Sequence, residues 1–387
     1  MGSYYKYRRL KKLLSGQFIR KYPLDRVLGS HLALYVWLPV FGKIRFLVSL
    51  LRWRHEVKCD TELLITFTQG SRQDYKELLS FFETRTRDKK SQTVFLTPTL
   101  RKPMGYADFC KRFATELVKK NDVNCVDHFI LCYLRSIAHI TIEELEDQNL
   151  DCNEYLAFNS AYLMESFLTF YFRIRGVPTG SLQHAMYFDY LNDPPLDIIN
   201  YENACAETLF CWGQFSLDQI EASVPHDVNL VVDNYPRNVT TRAKRCLSNC
   251  ILVLLPRWIY RKEIGKILRQ IAESSLSFTV RPHPGSISQV RSLSRYLSNI
   301  QIEDSKSLSA SLAQTLYKAC VGFNSSALFE ALLYEQRTIQ YLCGNEEFLI
   351  PEIPKISSLM ELENLPESNI SEETLDYYFS RKNNKTS

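Results

Sequence analysis

Ile251, Leu252, Val253, Leu254 and Leu255 form an unbroken apolar run, and Pro256-Arg257 ends it. A strand that is apolar on both faces has to be covered on both faces, which is the situation inside a parallel sheet flanked by helices. The residues that follow keep to that plan. Glu263 to Ala272 is amphipathic, with Ile264, Ile267, Leu268 and Ile271 on one helical face. Phe278 to Val280 reads as the next strand, stopped by Arg281-Pro282-His283-Pro284, because two prolines can neither extend a sheet ladder nor enter a helix interior. Ile300 to Ile302 is a short strand, Leu308 to Tyr317 a helix, Cys320 to Phe323 a strand, Ser325 onward a helix, and Thr338 to Tyr341 a strand. Strands and helices in alternation predict a parallel sheet with right-handed crossovers.

The first half reads the same way. Leu63 to Phe67 is a strand ending in Thr68-Gln69-Gly70-Ser71, followed by a helix around Tyr75 to Thr84. Thr93 to Leu96 is a second strand and Tyr106 to Lys119 a helix; Phe129 to Leu134 fits either a strand or a buried helix. Phe158 to Arg173 is a long aromatic helix that Gly176 stops, and a short strand then leads to Gln183-His184. Thr208 to Cys211 is a further strand, closed by Trp212-Gly213, with the 214–221 segment after it. Asn229 to Asn249, rich in Asn, Pro, Arg and Ser, reads as an inter-domain linker. A chain of 387 residues exceeds one average core. The expected division is an N-terminal segment over 1–60, one α/β domain over 61–235 and another over 236–380, with a polar tail beyond Lys382.

Residues 1–60 stand apart. Lys6, Arg8, Arg9, Lys11, Lys12, Arg20, Lys21 and Arg26 crowd together against Asp25 alone. His31 to Gly42 is apolar and aromatic, Lys43 and Arg45 interrupt it, and Phe46 to Leu51 resumes. The uninterrupted stretch is too short to span a bilayer, and no small-residue cleavage site follows it. Three readings stay open: a buried helix broken at Pro39, a re-entrant or interfacial segment, and a surface helix whose Lys and Arg reach an anionic membrane surface. A net charge of +4 does not indicate a nucleic-acid binder, and no nucleic-acid partner is expected. Eleven cysteines without a CxxC pair make neither a disulfide framework nor a zinc site, and indicate reduced thiols in a cytoplasm.

In an open α/β sheet, ligands bind outside the carboxyl ends of the strands. His283 stands at such an end, and Asn324-Ser325-Ser326 joins another to a helix start, so the two together read as a phosphate cradle. His184 is a second strand-end imidazole, in the other half of the chain, fit for a general base, with Asp189 close enough in sequence to orient it. No GxGxxG, no GxxxxGK[ST] and no GxSxG occurs, which excludes a dinucleotide fingerprint, a P-loop and a serine-hydrolase elbow.

Leu182-Gln183-His184-Ala185, Cys211-Trp212-Gly213, Arg281-Pro282-His283-Pro284 and Asn324-Ser325-Ser326-Ala327-Leu328-Phe329-Glu330-Ala331 together resemble the bacterial GT-B glycosyltransferases of surface-polysaccharide assembly. The resemblance covers roughly residues 63 to 342. Within that group it is similar to sialyltransferases and capsular Kdo transferases, which use CMP-activated acidic sugars, and to CDP-glycerol glycerophosphotransferases. It implies two Rossmann-like domains facing across a cleft, an acceptor domain followed by a nucleotide-donor domain. It implies an inverting, metal-independent glycosyl transfer with no cofactor, from a nucleotide sugar to a glycan or lipid-linked acceptor. The implied setting is the cytoplasm, peripheral on the inner membrane. His184 would be the catalytic base with Asp189. Arg281, His283, Pro284, Asn324, Ser325, Ser326 and Glu330 would bind the donor, with Gln183, Arg257 and Gln69 as further cleft residues. Ala185 stands where the family usually writes Gly. The acidic Asp/Glu-Asp/Glu-Gly motif that supplies the base in the sialyltransferases is missing from the first half, which leaves the base to His184. A glycerophosphotransferase, a non-catalytic assembly subunit and a sugar-nucleotide epimerase are the alternatives on the same fold.

Overall fold

The computed structural model describes residues 2–67, 78, 89–118, 124–191, 194–233, 245–295, 300–363 and 370–380. The expected 75–84 helix and the Gln69 loop lie outside them. By its contacts the chain divides into two units. The first is Met1–Tyr187 with Asp193–Cys211 and Leu217–Asp233; the second is Phe188–Asn192 with Trp212–Ser216 and Asn234–Ser387. Residues 1–60 are therefore part of the first unit.

The first unit begins with helices α1 (Ser3–Leu14), α2 (Gly29–Trp37) and α3 (Val40–Arg52). Strand β1 (Trp53–His55) follows, then β2 (Asp60–Phe67), β3 (Ser91–Phe95), β4 (Pro98–Leu100), α4 (Pro103–Leu117) and α5 (Cys125–Glu146). Next come β5 (Asp151–Ala157), α6 (Leu163–Ile174), β6 (Thr179–Leu182), β7 (Thr208–Cys211) and β8 (Asn229–Val232). The main sheet runs β8-β7-β6-β5-β2-β3 with every pair parallel, and β1 and β4 form a separate antiparallel ribbon. The ambiguous 129–134 stretch is the middle of α5. By length and composition α5 is apolar enough to cross a membrane, yet 72% of its apolar window is buried within the protein, as in a core helix.

Two expectations are corrected here. Residues 229–232 are not linker: Asn-Leu-Val-Val pairs in parallel with Thr208–Cys211 as the edge strand. Its apolar core is only three residues long, framed by Asn229 and Asp233, so composition hides it. The helix assigned to 158–173 begins only at Leu163, after strand β5, whose polar first half masks a fully buried Tyr-Leu-Ala end.

The N-terminal basic cluster is largely spent on internal pairs. Tyr7, Leu10 and Leu14 bury one face of α1. From the other side Arg8 and Lys11 meet the buried Glu202, and Lys6 and Arg9 meet the buried Asp127. Arg20 pairs with Glu146 and Arg26 with Asp227. The apolar stretch after it divides at Leu38-Pro39: α2 is buried, whereas no residue of α3 is, and Phe41 is 87% exposed. The stretch is thus a buried helix up to the Pro39 break and a helix with no buried residue beyond it.

Burial in α2 pushes the His31 imidazole down from 6.5 to about 4. The folded state therefore refuses a proton that the unfolded chain accepts at pH 6.5. Stability is expected to fall as pH drops from about 6.5 to about 4, by roughly 3 kcal/mol for this one ring. Urea titrations at stepped pH check this; a His31→Gln variant that shows an undiminished acid slope would reject it.

The second unit contains β9 (Cys246–Leu254), α7 (Arg261–Glu273), β10 (Phe278–Arg281), α8 (Ile287–Ser294), β11 (Ile300–Ile302) and α9 (Leu308–Gln314). It continues with β12 (Thr315–Gly322), α10 (Ala327–Leu333), β13 (Thr338–Tyr341), β14 (Lys355–Ile356) and α11 (Glu372–Phe379). Its sheet runs β11-β10-β9-β12-β13-β14, again with all pairs parallel. The run at 251–254 is buried in mid-sheet, and α7 lays Ile264, Ile267, Leu268 and Ile271 onto it. The helix expected over 308–317 stops at Gln314, and Tyr317 belongs to β12, where its hydroxyl meets Ser311 Oγ at 2.8 Å. The expectation of two parallel-sheet α/β domains is met by these two units.

Candidate functional site

The carboxyl ends of β9, β10, β12 and β13 lie along one edge of the second unit's sheet. The chain leaves each of them through polar residues: Pro256-Arg257, Pro282-His283, Asn324-Ser325-Ser326 and Cys343 to Glu347.

After β10 a 3-10 turn spans Pro284–Ser286. The Gly285 N–H donates to His283 Nδ1 at 3.1 Å, and the Ser286 hydroxyl and N–H both donate to the His283 carbonyl, at 3.1 and 2.8 Å. A neutral imidazole that accepts at Nδ1 carries its proton on Nε2. The backbone thus fixes His283 as an Nε2–H donor, half-buried at the sheet edge. Pro284 beside it is exposed. Arg281 turns towards β11: its Nη2 donates to the Lys306 carbonyl at 2.6 Å and its Nη1 lies 3.7 Å from Glu303 Oε2.

After β12, Asn324 adopts φ +44°, a left-handed conformation that Asn tolerates better than most residues. Its amide is used at both ends. Nδ2 donates to the Asn345 carbonyl at 2.8 Å, and Oδ1 accepts from the Glu347 N–H at 2.8 Å. Asn324 therefore ties the β12 and β13 loops together. Ser325 Oγ accepts a long 3.4 Å bond from the Ala327 N–H; Ser326 is exposed at the start of α10 and its hydroxyl makes no capping bond. Glu330 is half-buried on the same helix.

Glu347, 9% exposed, had no place in the sequence reading. Its carboxylate accepts from Arg257 Nη2 at 2.8 and 3.1 Å and from the Tyr260 hydroxyl. Its carbonyl accepts from the Leu191 N–H at 3.0 Å. Burial first, and then the bond to Glu347, pushes the Tyr260 phenol well above its usual range. Arg257, Asn324, Tyr260 and Glu347 thus make one network along this edge. His283 and Ser325 flank it from strands two apart, about 10 Å at sheet spacing.

In the first unit, β6 delivers Gln183 and His184. Gln183 is buried and spends its amide on the Ala185 carbonyl at 2.7 Å. His184 is 8% exposed, its ring 5.4 Å from Phe158 and 6.3 Å from Tyr187. Ala185 is not among the residues of positive φ, so its Cβ is carried without backbone strain. Beside β6, at the ends of β5 and β2, the buried Glu165 accepts from the Phe158 N–H at 2.9 Å and the Thr66 hydroxyl at 3.2 Å. A carboxylate on the otherwise aromatic α6 was the available signal for it. Asp189 is exposed and falls in the second unit, whereas His184 falls in the first. Gly213 of the Cys-Trp-Gly phrase is fixed by space: a Cβ there would lie 2.3 Å from the Tyr378 carbonyl oxygen. Among the described residues no group of His, Cys, Asp and Glu is placed to hold a metal ion.

No family model and no curated protein matches the sequence. Solved structures with a similar layout include MurG of Acinetobacter baumannii, 8% identical, covering 74% of this chain and 80% of that one, with a TM-score of 0.38. The wall teichoic acid polymerase TagF is 11% identical, over 79% and 80% of the two chains, with a TM-score of 0.43. The UDP-GlcNAc 2-epimerase from Neisseria meningitidis, bound to UDP-GlcNAc, is 14% identical over 72% and 81%, with a TM-score of 0.36. At these values the likeness says nothing of donor, acceptor or chemistry.

Proposed function

We propose that the chain is a GT-B glycosyltransferase that moves a sugar, CMP-activated and of the sialic acid or Kdo type, from a nucleotide donor to a surface-glycan or lipid-linked acceptor. The observation that carries this reading is the backbone-fixed Nε2–H of His283 at the carboxyl edge of a parallel sheet. A leaving nucleoside phosphate gathers negative charge, and oriented donors in a preorganised site stabilise it. In the proposed step the acceptor oxygen attacks the anomeric carbon and gives its proton to His184. The bond from that carbon to the phosphate oxygen breaks, and its electron pair leaves on the nucleotide. His283 Nε2–H donates to that phosphate, and the Ser325 and Ser326 hydroxyls add neutral donors. Asn324 and Arg257 hold the loops in place, Glu330 is assigned to the ribose, and no metal or cofactor takes part.

Thermal unfolding with CMP, CDP, UMP, UDP, GDP and ADP tests the assignment. Binding to the folded state alone stabilises by about 2.7 kcal/mol at a hundredfold excess over Kd. The expected result is a shift for CMP above the others. A larger CDP shift would move the assignment to a glycerophosphotransferase, and a UDP or GDP preference would overturn the CMP donor. No shift with any nucleotide would favour a non-catalytic assembly subunit.

The proposed setting is the cytoplasmic face of the inner membrane, touched through α3. Val40, Phe41, Ile44 and Val48 are exposed there beside Lys43 and Arg45, a composition suited to an anionic lipid surface. Sedimentation with phosphatidylglycerol vesicles is expected to fall sharply in a Phe41→Asp/Ile44→Asp variant; unchanged sedimentation would remove α3 from the contact.

A further inference from the structure

We propose that the first unit carries a separate binding site, for a small amphiphile with an anionic oxygen head, a carboxylate or a phosphate, on an apolar body. The site is a cavity of about 330 Å³ between α2, α3, α5, the start of α6 and the β1/β4 ribbon. None of its lining residues belongs to the nucleotide site proposed above, so the two proposals stand or fall separately.

The body of the cavity is apolar, formed by Leu34, Phe46, Leu50, Trp53, Ile137 and Phe167. Its polar residues include two arginines, Arg54 and Arg101, against one carboxylate, Glu144. The Arg101 side chain is 2% exposed, with its Nη1 3.3 Å from Glu144. Its Nη2 reaches only long bonds, 3.4 Å to the Leu50 carbonyl and 3.2 Å to that of Trp53. Arg54, 17% exposed, gives its Nη2 to Glu56. Two buried nitrogens of the lining make no hydrogen bond among the described residues, Arg101 Nε and Arg54 Nε. Both are guanidinium nitrogens, which donate and never accept. Buried donors are ordinarily satisfied, and leaving them unpaired is costly. The group that complements a cluster of guanidinium N–H is an anionic oxygen, which such donors bind most strongly.

Two features of the walls point the same way. Helix α3 has no buried residue, and its inner face, Phe46, Ser49 and Leu50, is half-buried over the cavity. An apolar body filling the space supplies the dispersion contacts that these side chains otherwise lack. Leu163, also in the lining, sits at φ +41°, a conformation unfavourable for Leu, with its N–H held by Ser30 Oγ at 2.7 Å. Such strain concentrates at ligand-binding walls. The volume lies at the lower end of the range of small-molecule sites.

The test is calorimetric titration of the full chain with decanoate, decyl phosphate, decanol and decyltrimethylammonium, each below its micelle concentration. Saturable binding of one decanoate or decyl phosphate per chain is expected, with decanol weaker by about tenfold or more and the cation not bound. The tighter of the two anions names the head group. Ser49→Phe, which fills the cavity from α3, is expected to abolish binding while the circular dichroism stays unchanged. Arg101→Met is expected to remove the preference for anions over decanol. Should Arg101→Met fail to fold, the Ser49→Phe result and the decanol comparison still decide. No saturable binding, equal affinity for decanol and decanoate, or binding that survives Ser49→Phe would each overturn the proposal.

Discussion

His283→Ala is expected to lower turnover of whichever nucleotide donor the wild type uses by about 10²–10³-fold, the usual cost of removing one preorganised donor from a developing anion. Thermal unfolding without nucleotide is expected to stay nearly unchanged. The imidazole accepts from the Gly285 N–H at 3.1 Å, and Gly285 is exposed, so water takes over that donor once the ring is gone. The stability cost is then at most about 1 kcal/mol. His283→Asn separates the two faces of the ring. Asn can accept the N–H two residues on, as in an Asx-turn, and so keeps the turn, but its short amide does not reach where Nε2 reaches. Asn is therefore expected to match wild type in stability and Ala in turnover. Wild-type kcat/KM in both variants would dismiss His283 from the reaction. A loss in Ala that Asn restores would make the residue a turn-former and nothing more.

The strand ends were legible in the sequence because proline marks them: Pro256 and Pro282 can sit in neither a ladder nor a helix interior. Where the marking is weak, the reading slipped. The 229–232 strand is framed by Asn229 and Asp233, and β5 opens on Asp151-Cys152-Asn153-Glu154, so both looked like loop. The roles of side chains depended on partners far along the chain. Asn324 read as a ligand-binding amide because nothing nearby shows that residues 345 and 347 use both its ends. The basic N-terminus read as a free cluster because Asp127 and Glu202, which answer it, lie more than a hundred residues away. The position of His283 was readable; its tautomer, set by a backbone N–H two residues on, was not.

Glu347→Ala is expected to cost about 3–5 kcal/mol, as does removing one partner of a buried ion pair, and to fall at the lower end because the Arg257 side chain keeps 24% exposure. The carboxylate takes Arg257 Nη2 on both oxygens and the Tyr260 hydroxyl on one. Deleting it takes the counter-charge from a guanidinium and the acceptor from a phenol together. Glu347→Gln keeps an acceptor oxygen and loses the charge, so it should cost less than Ala, by an amount that isolates the electrostatic part. A double variant, Arg257→Met with Glu347→Leu, is expected to recover most of the loss, since apolar replacement of a buried pair is often neutral or better. Chemical denaturation of the single and double variants gives the coupling directly. A Glu347→Ala variant within about 0.5 kcal/mol of wild type would mean that the network is a solvated surface pair. The backbone bonds from Glu347 to Asn324 and Leu191 do not involve the carboxylate. The loop therefore keeps its main-chain anchors in these variants, and a nucleotide-induced shift that disappears in Glu347→Ala but survives in the apolar double variant would trace donor binding to the rigidity of this edge. One that disappears in both would trace it to the Glu347 carboxylate, and one that survives in Glu347→Ala but disappears in the double variant to the charge of Arg257.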